Sequence, residues 1–88
     1  MANHKSALKR HRQSLKRRDR NRSVKSRLRT LIRRVHEAID AGDKPAAQEG
    51  LHAASVELAK AASKGVLHAN NASRRTGRLA RAVAALDQ

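Results

Sequence analysis

A chain with no Phe, Tyr or Trp, in which alanine supplies 17 of the 34 apolar residues, can bury only a thin core. Leu, Ile and Val add 16 more. Helices packed closely over alanines suit such an inventory. A sandwich or barrel does not, because it needs aromatic and β-branched side chains to fill the space between sheets. The 88 residues are enough for one small domain. Marginal stability is expected for the protein alone.

The apolar positions divide into three helical stripes. Val24, Leu28, Leu31, Val35 and Ala38 recur at spacings of 4, 3, 4 and 3, widened by Ile32 and Ile39. Ala47, Leu51, Ala54, Leu58 and Ala61 repeat the pattern, and Ala72, Leu79, Val83 and Leu86 follow at 7, 4 and 3. Between the stripes lie two breaks. In Ala41-Gly42-Asp43-Lys44-Pro45, Gly42 can end a helix, Asp43 can cap the next and Pro45 fits a first turn. In Ser63-Lys64-Gly65, Gly65 fits a C-terminal cap. Gly50 and Gly77 fall inside helical patterns and weaken them slightly. The pattern predicts helices over roughly 5–41, 44–63 and 67–86. The fold class expected is all-α: a three-helix bundle with near-antiparallel crossings.

The first helix is too long for its partners. It would span about 55 Å at 1.5 Å per residue, roughly twice the other two. Only Ala7, Leu8 and Leu15 are apolar between residues 4 and 23. The chain is therefore read as one domain, 1–88, with a basic arm at 1–23 that projects beyond a bundle at 24–88.

Charge follows the same division. The formal net charge is +14, with 21 Lys and Arg against 7 acids. Residues 1–36 carry 14 of the cations and a single acid, Asp19; residues 37–60 are net −3, and residues 61–88 net +4. Such a density demands an anionic partner, since solubility alone rarely needs it. On a helical wheel the arm is basic on every side, which suits insertion between several phosphate backbones rather than one face laid in a DNA groove. Arginine outnumbers lysine 14 to 7, and its planar fork matches phosphate oxygens and can stack on bases. Like charges at i,i+4, as in Lys5/Lys9, Arg12/Lys16 and Arg18/Arg22, each cost a few tenths of a kcal/mol in an isolated helix. The arm is accordingly expected to be largely disordered when free and to become helical against phosphates.

Other chemistries find little support. There is no cysteine, so disulfides and thiolate zinc sites are excluded. His4, His11, His36, His52 and His68 form no ligand-like pair on one face, and no metal or other cofactor is expected. Asp40 and Asp43 flank a turn as capping residues rather than as paired catalytic acids. No nucleophile elbow, P-loop or dinucleotide fingerprint occurs, so enzyme function and a small-molecule substrate are improbable. Without Phe, Tyr or Trp there is no aromatic platform of the kind that RRM and OB folds use. No apolar run approaches the roughly 18 residues of a membrane span, and no signal-peptide core is visible. With only Leu8 and Leu15 in line, the arm has too weak an apolar face for a membrane-surface helix.

The residues resemble a known family. The opening Met1-Ala2-Asn3-His4-Lys5-Ser6-Ala7-Leu8-Lys9-Arg10, then Arg12-Gln13-Ser14 and Arg20-Asn21-Arg22, look like bacterial small-subunit ribosomal protein S20. So do Thr30, the Ala-Gly-Asp-Lys turn at 41–44, and Lys64-Gly65-Val66-Leu67-His68-Ala69-Asn70. Ala72-Ser73-Arg74-Arg75 and Arg78-Leu79 complete a resemblance that covers essentially the whole chain. It implies a three-helix bundle with a long first helix, bound to the 5′ domain of 16S ribosomal RNA and acting early in assembly of the 30S subunit. It further implies a cytoplasmic location on the ribosome, few or no protein contacts, and no catalysis. Carried onto matching positions, the RNA contacts would be Lys5, Lys9, Arg10, Arg12, Arg17, Arg18, Asn21, Arg22 and Lys25. In the last third they would be His68, Asn70, Arg74, Arg75 and Arg78. Lys16 and Arg29, on the same basic helix, are added to the candidate set. Ala69 and Thr76-Gly77 depart from the family pattern, which usually has lysine at 69 and Lys-Ser at 76–77, so the family's contacts at 69 and 76 are not carried over. Asn70 and Asn71 can also be read as caps of the third helix. The alternative from another class is a histone-like DNA-binding nucleoid protein using the same arm.

Overall fold

The computed structural model describes residues 2–87, with side chains described for 5–86; Met1, Gln88 and the side chain of His4 lie outside. Three α-helices account for the fold: α1 (Ala2–Asp40), α2 (Lys44–Ser63) and α3 (Ala69–Ala84), ending in a 3-10 turn at Ala85–Asp87. No strand occurs among the described residues.

Both interhelical turns are closed by the same device. Gly42 takes φ +69°, and its N–H donates to the Ile39 carbonyl at 3.0 Å while the Asp43 N–H donates to the Ala38 carbonyl at 2.9 Å. Gly65 takes φ +78°, with Gly65 N–H on Ala62 at 3.1 Å and Val66 N–H on Ala61 at 2.9 Å. These paired bonds satisfy carbonyls that a helix end leaves orphaned, and they need a left-handed residue that glycine adopts without steric cost. Asp43 then opens α2, its Oδ1 accepting the Ala46 N–H at 3.2 Å, with Pro45 in the first turn.

Opening of α3 departs from expectation. The cap is His68, whose Nδ1 accepts the Asn70 N–H at 3.1 Å. Asn70 and Asn71 are not caps; Asn71 instead accepts from Arg75 Nε at 2.8 Å. The helix therefore starts at Ala69 rather than 67, which leaves Val66 buried and Leu67 partly buried in the turn before it.

The core is the thin seam that the composition dictates. Leu28, Val35, Leu58, Val66, Leu79 and Val83 are buried with Ala47, Ala54, Ala61 and Ala72, and no polar residue joins them among the described residues. Val24, Leu31, Ile32, Ala38, Ile39, Leu51, Ala62, Leu67 and Leu86 pack around that cluster. Gly50 lets α2 lie close against α1 at Val35, because a Cβ there would stand 3.1 Å from Val35 Cγ2. Helix α2 packs on both neighbours, whereas α1 and α3 touch only sparingly, leaving an open seam between them.

Only the second half of α1 takes part. Every side chain from 5 to 20 is exposed. The molecule measures 66 × 21 × 13 Å with a radius of gyration of 17.6 Å, against about 12 Å for a compact domain of this length. The arm is helical from Ala2 onward, and over residues 5–20 no side chain packs against the bundle.

Candidate nucleic-acid interface

The regular period of α1 sorts its cations into separate faces. Lys5, Lys9, Arg12 and Lys16 recur at spacings of 4, 3 and 4, forming one stripe along the tip. Arg18, Arg22, Lys25 and Arg29 repeat those spacings nearer the bundle. With 3.6 residues per turn the two stripes point roughly 140° apart. Arg10 and Arg17 fall between them on a third side. The arm thus offers two phosphate-binding faces in succession, aimed to different sides of the same rod.

The stripe nearer the bundle runs on into it. Ser14, Arg17, Arg18, Asn21, Arg22, Lys25 and Arg29 line one shallow hollow. Lys25 and Arg29 also line the next, where Leu28, Ile32, Leu67, Asn71 and Arg75 join them. Ile32 and Arg75 continue into a third with His36, Arg78 and Leu79. One basic track therefore leads from the arm into the seam between α1 and α3, and no acid lines any part of it.

The acids are kept elsewhere. Glu57 of α2 holds Arg27 Nη2 at 3.6 Å and Lys60 Nζ at 3.9 Å, and Glu37 holds Arg33 at 3.7 Å. None of these cations belongs to the candidate set. Among the described residues, no candidate cation is in an ion pair, and every one of them is exposed. An unpaired cation on the surface keeps its whole field for a partner.

Two candidate residues have further roles within the chain. His68 is exposed, and its Nδ1 is taken up by the Asn70 N–H. Asn21 is half-buried, and its Oδ1 is shielded from solvent with no hydrogen-bond partner among the described residues. Asn70 and Arg74 are exposed on the first turns of α3, beside Arg75 and Arg78. The track also contains residues that the sequence reading did not single out for binding: His36, Asn71 and the apolar floor of Leu28, Ile32, Leu67 and Leu79. A signal was available for His36, since 18, 22, 25, 29, 32 and 36 form one unbroken 4-3-4-3-4 series. Charge on every side of the arm hid it.

Among the described residues no cluster of His, Asp and Glu could hold a metal ion, and no helix is long and apolar enough to cross a membrane. A long cationic rod joined to a small bundle is thus what the chain presents. The family model for ribosomal protein S20 matches residues 2–84. The chain belongs to the ribosomal protein S20 family. It is 52% identical over 87 residues to small ribosomal subunit protein bS20 of Desulfovibrio desulfuricans, covering 99% of this chain and 98% of that one. It is 58% identical over 83 residues to the bS20 protein of Mycolicibacterium smegmatis, covering 94% and 96%. The bS20 protein of Geotalea daltonii is 57% identical over 83 residues, covering 94% and 95%. The match spans both the arm and the bundle, so the family holds for the whole chain and not for its basic segment alone.

Proposed function

We propose that this S20-family chain is a structural constituent of the small ribosomal subunit that binds the 5′ domain of 16S ribosomal RNA and supports assembly. It works without catalysis, on the ribosome in the cytoplasm, with few protein contacts. The observation that carries the reading is the acid-free basic track, which runs without a break from a projecting helix into the α1/α3 seam. In this reading residues 1–23 are a probe and 24–88 the body that aims it. The arm enters between RNA backbones, with Lys5, Lys9, Arg12 and Lys16 meeting one and Arg18, Arg22, Lys25 and Arg29 another. Arg10 and Arg17 serve the side between them, and His68, Asn70, Arg74, Arg75 and Arg78 grip from the bundle end. Most of the free energy comes from counterion release as the lysines and arginines of the arm replace the condensed atmosphere on the phosphates. Specificity comes from RNA shape and from hydroxyl contacts. Asn21 is read as a point that favours RNA over DNA: its Oδ1 has no hydrogen-bond partner among the described residues, and a 2′-hydroxyl, which DNA lacks, is a donor that suits it.

A reconstitution experiment tests the reading. The purified chain is mixed with 16S ribosomal RNA and sedimented at moderate salt. Co-sedimentation with the RNA that an excess of duplex DNA does not remove is expected. Release by duplex DNA would favour the nucleoid alternative, to which the family match lends no support.

A further inference from the structure

We infer that the groove between α1 and α3 seats one extruded nucleobase, with the guanidinium of Arg75 as the plate on which it stacks. The inference rests on the RNA-binding reading above and adds a base contact in a chain that has no Phe, Tyr or Trp.

The groove joins two kinds of surface. Its floor is apolar, made by Leu28, Ile32, Leu67 and Leu79, and its rim is cationic, made by Lys25, Arg29, Arg75 and Arg78. Its two adjoining parts hold about 370 and 320 Å³, and Ile32 and Arg75 line both. Volumes of this order sit at the low end of small-molecule sites. A phosphate alone is a poor occupant, because the floor strips its water and offers no donor in return. An apolar peptide would use the floor but gain nothing from four cations and no acid around it. A nucleobase has apolar faces and polar edges, and the strand carries a phosphate on either side of it. That combination complements floor and rim together.

Arg75 is set up for such a partner. Its Nε donates to Asn71 Oδ1 at 2.8 Å, one turn back along α3. The bond restrains the guanidinium at Nε, and among the described residues neither terminal nitrogen is hydrogen-bonded. An arginine acting only as a point charge has no need of this brace. An unstacked base of RNA can lie on an arginine plane as it lies on an aromatic ring. Asn71 is then a positioning residue, acting on the base through Arg75.

The test separates a plane from a charge. Arg75 is exposed, so substitution there leaves the core intact, as circular dichroism of each variant will verify. Affinity for the 5′-domain fragment of 16S ribosomal RNA is measured for the full chain and for Arg75→Tyr, Arg75→Lys and Asn71→Ala. Tyrosine keeps a plane and discards the charge; lysine does the reverse. Arg75→Tyr is expected to bind better than Arg75→Lys, with Arg75→Lys weakened at least about fivefold, the lower end of what one stacked base contributes. Asn71→Ala is expected to fall between wild type and Arg75→Lys. Arg81→Lys, on α3 but outside the groove, is expected to bind as wild type does. If Arg75→Lys binds better than Arg75→Tyr, the contact is to phosphate and the inference fails. Wild-type affinity for Arg75→Lys also overturns it, as when the groove serves a protein or only solvent. Should the wild-type chain itself show no preference for this RNA, the underlying reading fails and the inference falls with it.

Discussion

The two stripes on α1 make a prediction that a merely basic arm would not. Consider the triple variant Arg18→Gln, Arg22→Gln, Lys25→Gln, which removes three exposed, unpaired cations from one face. If each neutralises one phosphate, the slope of log affinity against log salt falls in magnitude by roughly 2–3, at ~0.7 to 0.9 per contact. Between 50 and 200 mM salt, wild-type affinity should then drop about 15- to 60-fold more than that of the variant. The matched control is Arg27→Gln, Arg33→Gln, Lys60→Gln, which removes three cations already engaged with Glu57 and Glu37. It makes the same change in net charge and should leave the slope nearly unaltered. Filter binding or fluorescence anisotropy against the 5′-domain fragment, over a salt series, supplies both slopes. Equal slope losses in the two variants would refute the argument. They would mean that net charge governs binding and the stripes have no meaning.

Further outcomes follow from the same geometry. Gly77→Ala should raise Tm, because a Cβ there meets open space and alanine gains up to about 1 kcal/mol in a helix. Gly50→Ala should lower Tm despite the same propensity, since its Cβ would stand 3.1 Å from Cγ2 of Val35, a fully buried β-branched side chain with one favoured helical rotamer and little room to yield. Leu58→Ala, at a fully buried position in this thin core, should cost about 3–5 kcal/mol in urea unfolding and leave little folded protein. Asn21→Ala should narrow the preference for RNA over DNA of equal length by about two- to tenfold, one hydrogen bond's worth, with unchanged salt dependence. Residues 5–20 of α1 are all exposed and carry like charges at i,i+4, so that half of the helix has no packing to hold it off RNA; circular dichroism of the free chain should show less helix than α1 to α3 would give together, and helix content should rise on RNA binding. A full-length first helix that melts cooperatively in the free chain would defeat that expectation.

Much of this architecture is legible in the sequence. The stripe from Val24 to Ala38 and those through Leu58 and Val83 became the observed core, because a period near 3.6 has one packing solution in a chain this poor in large side chains. Gly42, Asp43, Pro45 and Gly65 announced the turns, because each answers a specific need of a helix end. The first residues of α3 were less legible. Asn70 and Asn71 have the usual chemistry of caps, but a histidine two positions before Asn70 took the role, and its imidazole nitrogen does what an Asn oxygen would. The binding surface was legible as charge and not as shape. Which cations share a face is simple arithmetic once α1 is a single helix. The seam between α1 and α3 depends on how α2 holds them apart, and Leu28 and Ile32 announced themselves only as core. That two apolar residues can serve the bundle and also floor a groove is a property of tertiary geometry.

The central claim is that this chain recognises ribosomal RNA rather than polyanions at large. Competition at one moderate salt concentration, between the 5′-domain fragment of 16S ribosomal RNA and duplex DNA, tests it most directly. The account predicts a preference for the RNA of more than about tenfold, or about 1.4 kcal/mol at 25 °C. A smaller ratio would contradict it, leaving a cationic helix whose partner is any phosphate polymer.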